Sequence, residues 1–311
     1  MKVDSKYVWH QGGIVPFEKA NLHFLNTSLH YGLSAFEGIR SYQTPRGPAI
    51  FRLKDHMERL QGSLKLLGVK KPPYNFETMM NSCREVIKVN DLKEAYIRPL
   101  FYIKEGGWGL SLRDTSWDYS VAAWPWDDYH GEKARNEGIK AIVSSITRNH
   151  INVSLTKGKI GGHYVNSALA KAEAQRAGVQ EAVLLDHNGT VAECTGQNIF
   201  VVKKGKILTP PGHLILEGFT RETVIELLNE AGHSVKETTL TRDQLYLADE
   251  VFIVGTANEV LPMIEIDGIT IGDGKPGAFC QLAQGLYDDL IHGKKDPDSP
   301  YLDYIFNNER I

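Results

Sequence analysis

Apolar side chains recur at helical spacing in several stretches of the chain and predict amphipathic helices there. One such helix is predicted after Asp55, a suitable N-cap, with an apolar stripe of Met57, Leu60, Leu64 and Leu67. Further helices are predicted over residues 76–89, over residues 167–177 before Gly178, and after the glycine loop at Gly218.

Alternating and short apolar runs predict strands between these helices. Residues 94–103 alternate with period two, which places Tyr96 and Arg98 on one face of a strand. Other strands are predicted at residues 39–42, 49–53, 119–124, 138–145, 182–185 and 250–254. Strands and helices mixed in this way predict an α/β (α+β) fold.

The length of 311 residues suggests two domains. Proline, two acids and glycine in residues 125–131 are typical of a linker. We therefore expect a smaller N-terminal domain over residues 1–124, a linker over 125–137 and a larger C-terminal domain over 138–311.

Composition and charge exclude several classes of function. The chain is 42% hydrophobic and 23% charged, with a formal net charge of −3, which gives no electrostatic basis for binding nucleic acid or an anionic membrane. Its three cysteines are far apart, and neither a signal peptide nor a membrane span is recognisable. We therefore expect a reduced, cytoplasmic protein without a metal site.

Residues 156–164 hold two lysines, three glycines and a tyrosine between charge-poor segments. Glycine permits close approach of a bulky group, so Lys157 or Lys159 could present an amine to a ligand. Taken alone, the same pattern also fits a surface turn with solvated lysines.

Polar residues in the second half of the chain lie where ligand groups would be bound. Glu193 stands among small residues before an apolar strand, so we expect it to be buried with a partner. Asn198 could fix nearby loops, and the helix start at Phe219 and Thr220 could attract an anion.

Seven motifs, in order, resemble the class IV (fold-type IV) pyridoxal-phosphate aminotransferases, and among them most the branched-chain amino acid aminotransferases. The resemblance runs from Tyr7 to about Leu286. The motifs are His30-Tyr31-Gly32 with Phe36-Glu37-Gly38-Ile39-Arg40, the helix around Arg59, Ala95-Tyr96-Ile97-Arg98-Pro99, Lys159-x-Gly-Gly-x-Tyr164, Glu193 with Gly196-x-Asn198, Gly218-x-Thr220-Arg221, and residues 247–252 with Gly255-Thr256-Ala257.

The resemblance implies a two-domain fold with a β-barrel-like core in the larger domain and pyridoxal 5′-phosphate in the interdomain cleft. Lys159 would form the Schiff base, Glu193 would pair with the pyridine nitrogen, and Tyr164 would bind the ring's 3-oxygen. The remaining residues expected to bind the cofactor are Arg59, Asn198, Gly218, Phe219, Thr220 and Thr256.

The resemblance also implies a substrate site. Tyr96 and the main-chain N–H groups of Thr256 and Ala257 would bind the α-carboxylate, whereas Arg98 with Tyr31 would bind the distal carboxylate of glutamate. The other residues expected to face the substrate are Phe36, Gly38, Arg40, Leu110, Trp126, Tyr129 and Tyr164.

The reaction implied is transamination between branched-chain L-amino acids and 2-oxoglutarate by a homodimer or an oligomer of dimers, with small molecules as the only other partners. A D-amino acid or (R)-amine transaminase, an aminodeoxychorismate lyase, and a binding protein of the same fold are the alternatives. Trp108 departs from the family pattern and leaves the substrate range open; Gln197 and His163 depart from it without touching the cofactor roles.

Overall fold

The computed structural model describes residues 5–106, 109–113, 115–126 and 131–306. The chain forms two compact units. The first comprises Met1–Asp127, Gly158–Gly162 and Leu290–Ile311, and the second comprises Asp128–Lys157 and His163–Asp289. The domain limits expected from the sequence stay a prediction. In the structure, two segments from the second half of the chain belong to the first unit.

The first unit is built on a sheet to which its described residues contribute eight strands, in the order β17-β5-β4-β6-β7-β1-β2, with β3 pairing β6. All of the pairings in this sheet are antiparallel. The strands are β1 (Tyr7–His10), β2 (Gly13–Pro16), β3 (Ser34–Phe36), β4 (Ile39–Thr44), β5 (Gly47–Phe51), β6 (Ala95–Glu105), β7 (Ser116–Pro125) and β17 (Leu302–Tyr304).

Helices α1 (Thr27–Tyr31), α2 (Leu53–Leu66) and α3 (Phe76–Val89) belong to this unit. The apolar stripe predicted for α2 is buried in one core with α3 and the sheet, which confirms the helical period. The predicted N-cap is wrong, because α2 begins at Leu53 and its N-cap is Arg52. Asp55 lies inside the first turn and accepts a hydrogen bond from Arg52 Nε at 2.5 Å.

The second unit contains a sheet of nine strands among its described residues, in the order β10-β9-β8-β15-β14-β11-β12-β13, with β16 pairing β15. Strand β10 meets the chain after β13, because Val191 N–H donates to Leu240 C=O at 2.8 Å and Thr190 forms a bridge with Thr241. The sheet therefore curls towards a barrel-like core, although β10 and β13 themselves are not paired in the described residues. The strands are β8 (Ile139–Val143), β9 (Glu181–Leu185), β10 (Val191–Cys194), β11 (Asn198–Lys203), β12 (Lys206–Thr209), β13 (Val235–Glu237), β14 (Glu250–Gly255), β15 (Glu259–Ile266) and β16 (Ile269–Thr270).

The helices of the second unit occur between these strands and after them. Helix α6 connects the parallel strands β8 and β9 and packs its small residues Ala170 and Ala174 against Ala182. The helices are α4 (Gly131–Glu137), α5 (Ile151–Ser154), α6 (Tyr164–Arg176), α7 (Phe219–Glu230), α8 (Arg242–Tyr246) and α9 (Ala278–Ile291). None of the helices in the described residues has the length and apolar character needed to cross a membrane.

The predicted mixed α/β fold is confirmed. Several elements were not predicted, among them α4 and β17, which pairs with β5 through Leu302 and Phe51. Within the described residues, no group of three or more histidine, cysteine or acidic side chains is arranged to hold a metal ion.

Candidate active site

Lys159 lies in the segment Gly158–Gly162 of the first unit, and neighbouring groups fix its main chain on both sides. Its N–H donates to Ser63 Oγ at 2.9 Å, and its C=O accepts from Phe36 N–H at 3.1 Å. The side chain is half-buried, and Nζ lies 5.1 Å from the centre of the Phe36 ring. The structure therefore presents this amine from a fixed main chain beside an aromatic face.

The glycines near Lys159 permit a close approach of two main chains. Gly32 has a φ of +66°, and a Cβ there would lie 2.6 Å from the Cα of Gly162. The bridge between Ala35 and Ile160 continues the same contact along β3. A side chain on Gly32 would push the lysine segment away, so the glycines serve the packing that the motif requires.

Lys157 is placed differently. It belongs to the second unit, where Nζ donates to the C=O of Gly212 and, at 3.3 Å, to that of Ile215. Its ammonium also lies 3.2 Å from Glu217. These contacts hold the loop before α7. They explain why a lysine stands at position 157, and no ligand is needed to explain it.

Arg59 is held by a buried carboxylate. Glu37 is fully buried and accepts hydrogen bonds from Arg59 Nε at 2.6 Å and from Arg59 Nη2 at 2.8 Å. The same carboxylate lies 2.8 Å from His56 Nδ1. Burial alone would raise the pKa of Glu37, but the charge and hydrogen bonds of Arg59, and then those of His56, outweigh it and hold the pKa well below its usual range.

The first unit contains a group of three aromatic rings and one guanidinium in mutual contact. Its members are Tyr96, Arg98, Phe36 and Trp126. Arg98 Nη2 donates to Tyr96 Oη at 3.0 Å, and the guanidinium lies 4.7 Å from the centre of the Phe36 ring. The Trp126 ring stacks on Tyr96 at 4.5 Å. Arg98 Nε is buried without a hydrogen-bond partner in the described part of the chain. A carboxylate would satisfy this unpaired donor.

Gly38 makes room for this group, because a Cβ there would lie 1.9 Å from Tyr96 Oη. Arg40 is buried directly opposite Tyr96 in the β4–β6 pairing, and its guanidinium lies 4.7 Å from the centre of the Tyr42 ring. Four of the predicted substrate residues, Phe36, Tyr96, Arg98 and Trp126, are therefore in contact, with Gly38 and Arg40 beside them.

Two other predicted residues of this half, Leu110 and Tyr31, are not joined to the group in the described part of the chain. Leu110 is 76% exposed and Tyr31 is 44% exposed. Within the described residues, neither has a hydrogen bond or ring contact with Phe36, Tyr96 or Arg98. Tyr129 and Trp108 lie outside the residues that the structure describes.

In the second unit, Glu193 is buried with a partner, as the sequence predicted. Arg148 Nε donates to Glu193 Oε1 at 2.8 Å, and Asn198 Nδ2 donates to Oε2 at 3.1 Å. Leu216 N–H adds a longer contact of 3.4 Å to Oε1. Glu193 lies in β10 and Asn198 begins β11, the next strand along the chain. β10 pairs with β9 and β11 pairs with β14, so the sheet fixes the main chain of both residues.

The start of α7 combines a helix N-terminus with a close contact. Gly218 is the N-cap, and no side chain caps this end of the helix. A Cβ on Gly218 would lie 2.2 Å from Asn198 Oδ1. The helix begins at Phe219, and Thr220 is buried. An uncapped N-terminus of a twelve-residue helix favours an anion.

The turn after β14 places Thr256 and Ala257 at its tip. Asn258 N–H donates to Gly255 C=O at 3.1 Å, which closes the turn. The Asn258 side chain is buried, and neither of its polar atoms has a hydrogen-bond partner among the described residues.

Tyr164 is the remaining residue that the sequence assigned to the cofactor. It is half-buried at the first position of α6.

The family model for amino-transferase class IV matches residues 34–266, which is more than half of the chain and includes Phe36, Lys159 and Glu193. The chain belongs to the class IV aminotransferases.

Known class IV aminotransferases resemble this one over nearly its whole length. A branched-chain-amino-acid aminotransferase of Pseudomonas aeruginosa is 42% identical over 93% of this chain and 94% of its own. The Escherichia coli branched-chain amino acid aminotransferase has a TM-score of 0.94 at 40% identity over 97% and 100% of the two chains. The branched-chain amino acid aminotransferase from Thermobaculum terrenum, in its PLP form, has a TM-score of 0.91 at 31% identity over 98% and 100%.

For this class IV aminotransferase, sequence reasoning missed the residues that hold the predicted ones in place. Arg148 is 45 residues away from Glu193, and Ser63 is 96 residues away from Lys159. No short-range pattern marks either residue. Glu37 stood in a recognised motif, but its pairing with Arg59 follows only from the packing of α2 near β4.

Proposed function

We propose that this chain transfers the amino group of leucine, isoleucine and valine to 2-oxoglutarate, with pyridoxal 5′-phosphate as cofactor. The observation that carries the proposal is the group of Arg98, Tyr96, Phe36 and Trp126, in which a cation with one unpaired donor stands among aromatic rings. Such a surface accepts an apolar side chain and also the distal carboxylate of glutamate.

The residues present fit the chemical groups of pyridoxal phosphate. Lys159 supplies an amine for its aldehyde, and Glu193 supplies a buried carboxylate for its ring nitrogen. Arg59 and the uncapped start of α7 both suit a phosphate. Because Gly218 has no side chain, Asn198 can lie directly against this helix start.

When bound, the cofactor supplies an electron sink that weakens the Cα–H bond of the amino acid. Lys159 Nζ would take the proton from the substrate Cα as a general base and would then deliver it to C4′ of the cofactor as a general acid. The hydrogen bonds that fix the Lys159 main chain at Ser63 and Phe36 limit how far Nζ moves between these two tasks.

Glu193 acts by its charge and position. Arg148 and Asn198 each donate to one of its two oxygens, so the carboxylate cannot rotate freely. In this orientation it would accept a hydrogen bond from the ring nitrogen and would stabilise the proton there. Arg59, held by Glu37, and the main chain at Phe219 and Thr220 would hold the phosphate.

The two carboxylates of the substrates are assigned to different groups. Tyr96, with the main chain of Thr256 and Ala257, binds the α-carboxylate that all of the substrates share. Arg98 binds the distal carboxylate that only glutamate and 2-oxoglutarate carry. Phe36 and Trp126 contact the apolar side chains of the branched-chain substrates.

We propose that the protein is cytoplasmic. We also propose that it forms a homodimer or an oligomer of dimers. Each unit carries large apolar residues at its surface, which a second copy would cover. These residues are Leu22, Phe24, Leu25, Leu29 and Leu110 in the first unit, and Ile151, Val153, Leu155, Val165 and Leu169 in the second.

The test is a panel of amino donors mixed separately with the protein loaded with pyridoxal phosphate. L-leucine and L-glutamate should each discharge the visible absorbance of the bound cofactor within seconds to minutes. D-alanine and (R)-1-phenylethylamine should leave it unchanged. Rapid bleaching by D-alanine or the amine alone would contradict the proposal and support the alternative transaminases.

A further inference from the structure

One buried hydroxyl joins the main chains of the two cationic residues that the proposed function assigns to the cofactor. Ser63 is fully buried in α2. Its Oγ donates to the C=O of Arg59 at 3.0 Å and accepts from the N–H of Lys159 at 2.9 Å. Both contacts lie within the first unit.

The surrounding packing leaves little freedom at this junction. A Cβ on Gly158 would lie 3.0 Å from Leu66 Cδ1, so the lysine segment rests directly on the last turn of α2. Gly158 and Ile160, on either side of Lys159, are both buried. The Lys159 N–H therefore lies between buried neighbours, where an unpaired donor is costly.

Helix formation does not explain a serine here. Serine is a poorer helix former than alanine, and its bond to the carbonyl four residues earlier slightly destabilises a helix. An apolar residue would suit a fully buried position in the core better. The hydroxyl is accounted for by the second bond, the one to Lys159.

We infer that Ser63 is a positioning residue that fixes Lys159 relative to Arg59. The inference rests on the proposed function, in which Lys159 carries the cofactor and Arg59 binds its phosphate. Because the short arm between the ring and the phosphate limits the distance from aldehyde to phosphate, the two residues must keep their separation within a matching range. Ser63 supplies this restraint through the main chain, without itself touching the cofactor or the substrate.

The chain offers a matched control in Ser82. It is a buried serine of the neighbouring helix α3, and its Oγ donates to Met79 C=O at 2.7 Å. It has no hydrogen bond to Lys159 among the described residues. S63A and S82A thus each remove one buried hydroxyl from a helix of the same unit.

The experiment measures three quantities for wild type, S63A, S63C and S82A. They are the Kd of pyridoxal phosphate by equilibrium dialysis, the rate of the half-reaction with saturating L-leucine, and the urea midpoint of the cofactor-free protein. S63A should raise Kd and lower the rate, each by about tenfold. S82A should change both by less than twofold while losing a similar part of the urea midpoint. S63C, whose thiol is a weak donor and acceptor, should fall between wild type and S63A.

If S63A and S63C match S82A in Kd and in rate, Ser63 has only a structural role and the inference is overturned. K159A is measured in parallel to separate the two claims. If K159A binds pyridoxal phosphate as tightly as wild type and still turns over, the assignment of Lys159 is what fails, and the inference falls with it. If S63A does not fold, S63C provides the test instead. A Kd of S63C equal to that of S82A then overturns the inference, and a higher Kd supports it.

Discussion

Glu37 and Arg59 face each other through two parallel hydrogen bonds, Nε to Oε1 at 2.6 Å and Nη2 to Oε2 at 2.8 Å. This bidentate pair fixes the plane of the guanidinium. The carboxylate is fully buried, and only 14% of the arginine side chain is exposed. Glu37 therefore sets the direction of the Arg59 guanidinium, which the proposed function assigns to the phosphate.

The first prediction concerns Glu37→Gln, which keeps the size of the side chain but removes its charge. Arg59 would lose a charged partner in a buried setting, so the free energy of unfolding should fall by about 3 kcal/mol. The Kd of pyridoxal phosphate should also rise by about tenfold because Arg59 is less well oriented. Urea denaturation and equilibrium dialysis measure the two effects.

Glu58→Gln is the control for this prediction. Glu58 lies on α2, and its one ion pair in the described part of the chain is an exposed contact of 3.9 Å with Lys54. Its replacement should change the unfolding free energy by less than about 0.5 kcal/mol. Equal losses for the two variants would show that the buried pair has no special role.

The second prediction is a pH dependence at His56. Burial lowers its pKa, and the charges of Arg59 and Lys159 add to this, although Glu37 opposes them. The unfolded chain takes up a proton at this histidine near pH 6.5, whereas the folded protein takes it up only at a lower pH. Stability should therefore fall as the pH drops below about 6.5, with a slope of up to about 1.4 kcal/mol per pH unit.

His56→Gln isolates this contribution, because the other histidines remain. Unfolding free energies of wild type and variant should be measured from pH 7.5 to pH 5. Their difference should shrink as the pH falls, since only wild type loses stability through His56. A difference that stays constant over this range would rule out a lowered pKa.

Glu37 affects stability in a separate range of pH. Its own pKa is lowered, so its contribution to the free energy of unfolding is complete above about pH 4.3 and is lost below that.

The third prediction separates the two classes of acceptor at Arg98. Arg98→Ala should raise the KM for 2-oxoglutarate by about 10- to 100-fold, the cost of losing a charged hydrogen bond. The KM for 4-methyl-2-oxopentanoate, which has no distal carboxylate, should change by less than about threefold. Steady-state kinetics with both acceptors measure this, and equal increases would remove the role proposed for Arg98.

The fourth prediction concerns the contact between Gly218 and Asn198. Gly218→Ala would place a Cβ 2.2 Å from Asn198 Oδ1 and so disturb the hydrogen bond from Asn198 to Glu193. The variant should lose about 1–3 kcal/mol of stability and bind pyridoxal phosphate more weakly. Gly285→Ala in α9, where a Cβ would meet nothing within 4 Å, should keep the cofactor affinity and lose no stability, because alanine favours a helix more than glycine does. A stable Gly218→Ala with unchanged Kd would count against the arrangement described.

Local sequence patterns predicted much of the fold because helices and strands bury their side chains with a fixed period. The apolar stripe of α2 is such a pattern, and its residues Met57, Leu60 and Leu64 are buried as predicted. Strand β6 also forms, but residues on both of its faces are buried, so its burial does not alternate. The same period placed Tyr96 and Arg98 on one face, where they now share a hydrogen bond. The burial of Glu193 was also predicted from local sequence, namely from its small neighbours and the apolar strand that follows.

Other features depend on contacts between distant parts of the chain. The N-cap at Asp55 was wrong because Arg52 takes a left-handed conformation and starts the helix earlier, with its side chain bonded to Asp55. Strand β17 exists because β5 offers an edge, which the polar sequence around Leu302 does not reveal. Arg148 and Ser63 likewise become recognisable only when the fold brings them to Glu193 and Lys159.

The measurement that tests the central claim most directly identifies the lysine that carries the cofactor. The protein loaded with pyridoxal phosphate is reduced with sodium borohydride and digested, and the phosphopyridoxyl-labelled peptide is sequenced by mass spectrometry. The label should be on Lys159, at close to one group per chain. A label on Lys157 or on another lysine, or none at saturating cofactor, would contradict the account.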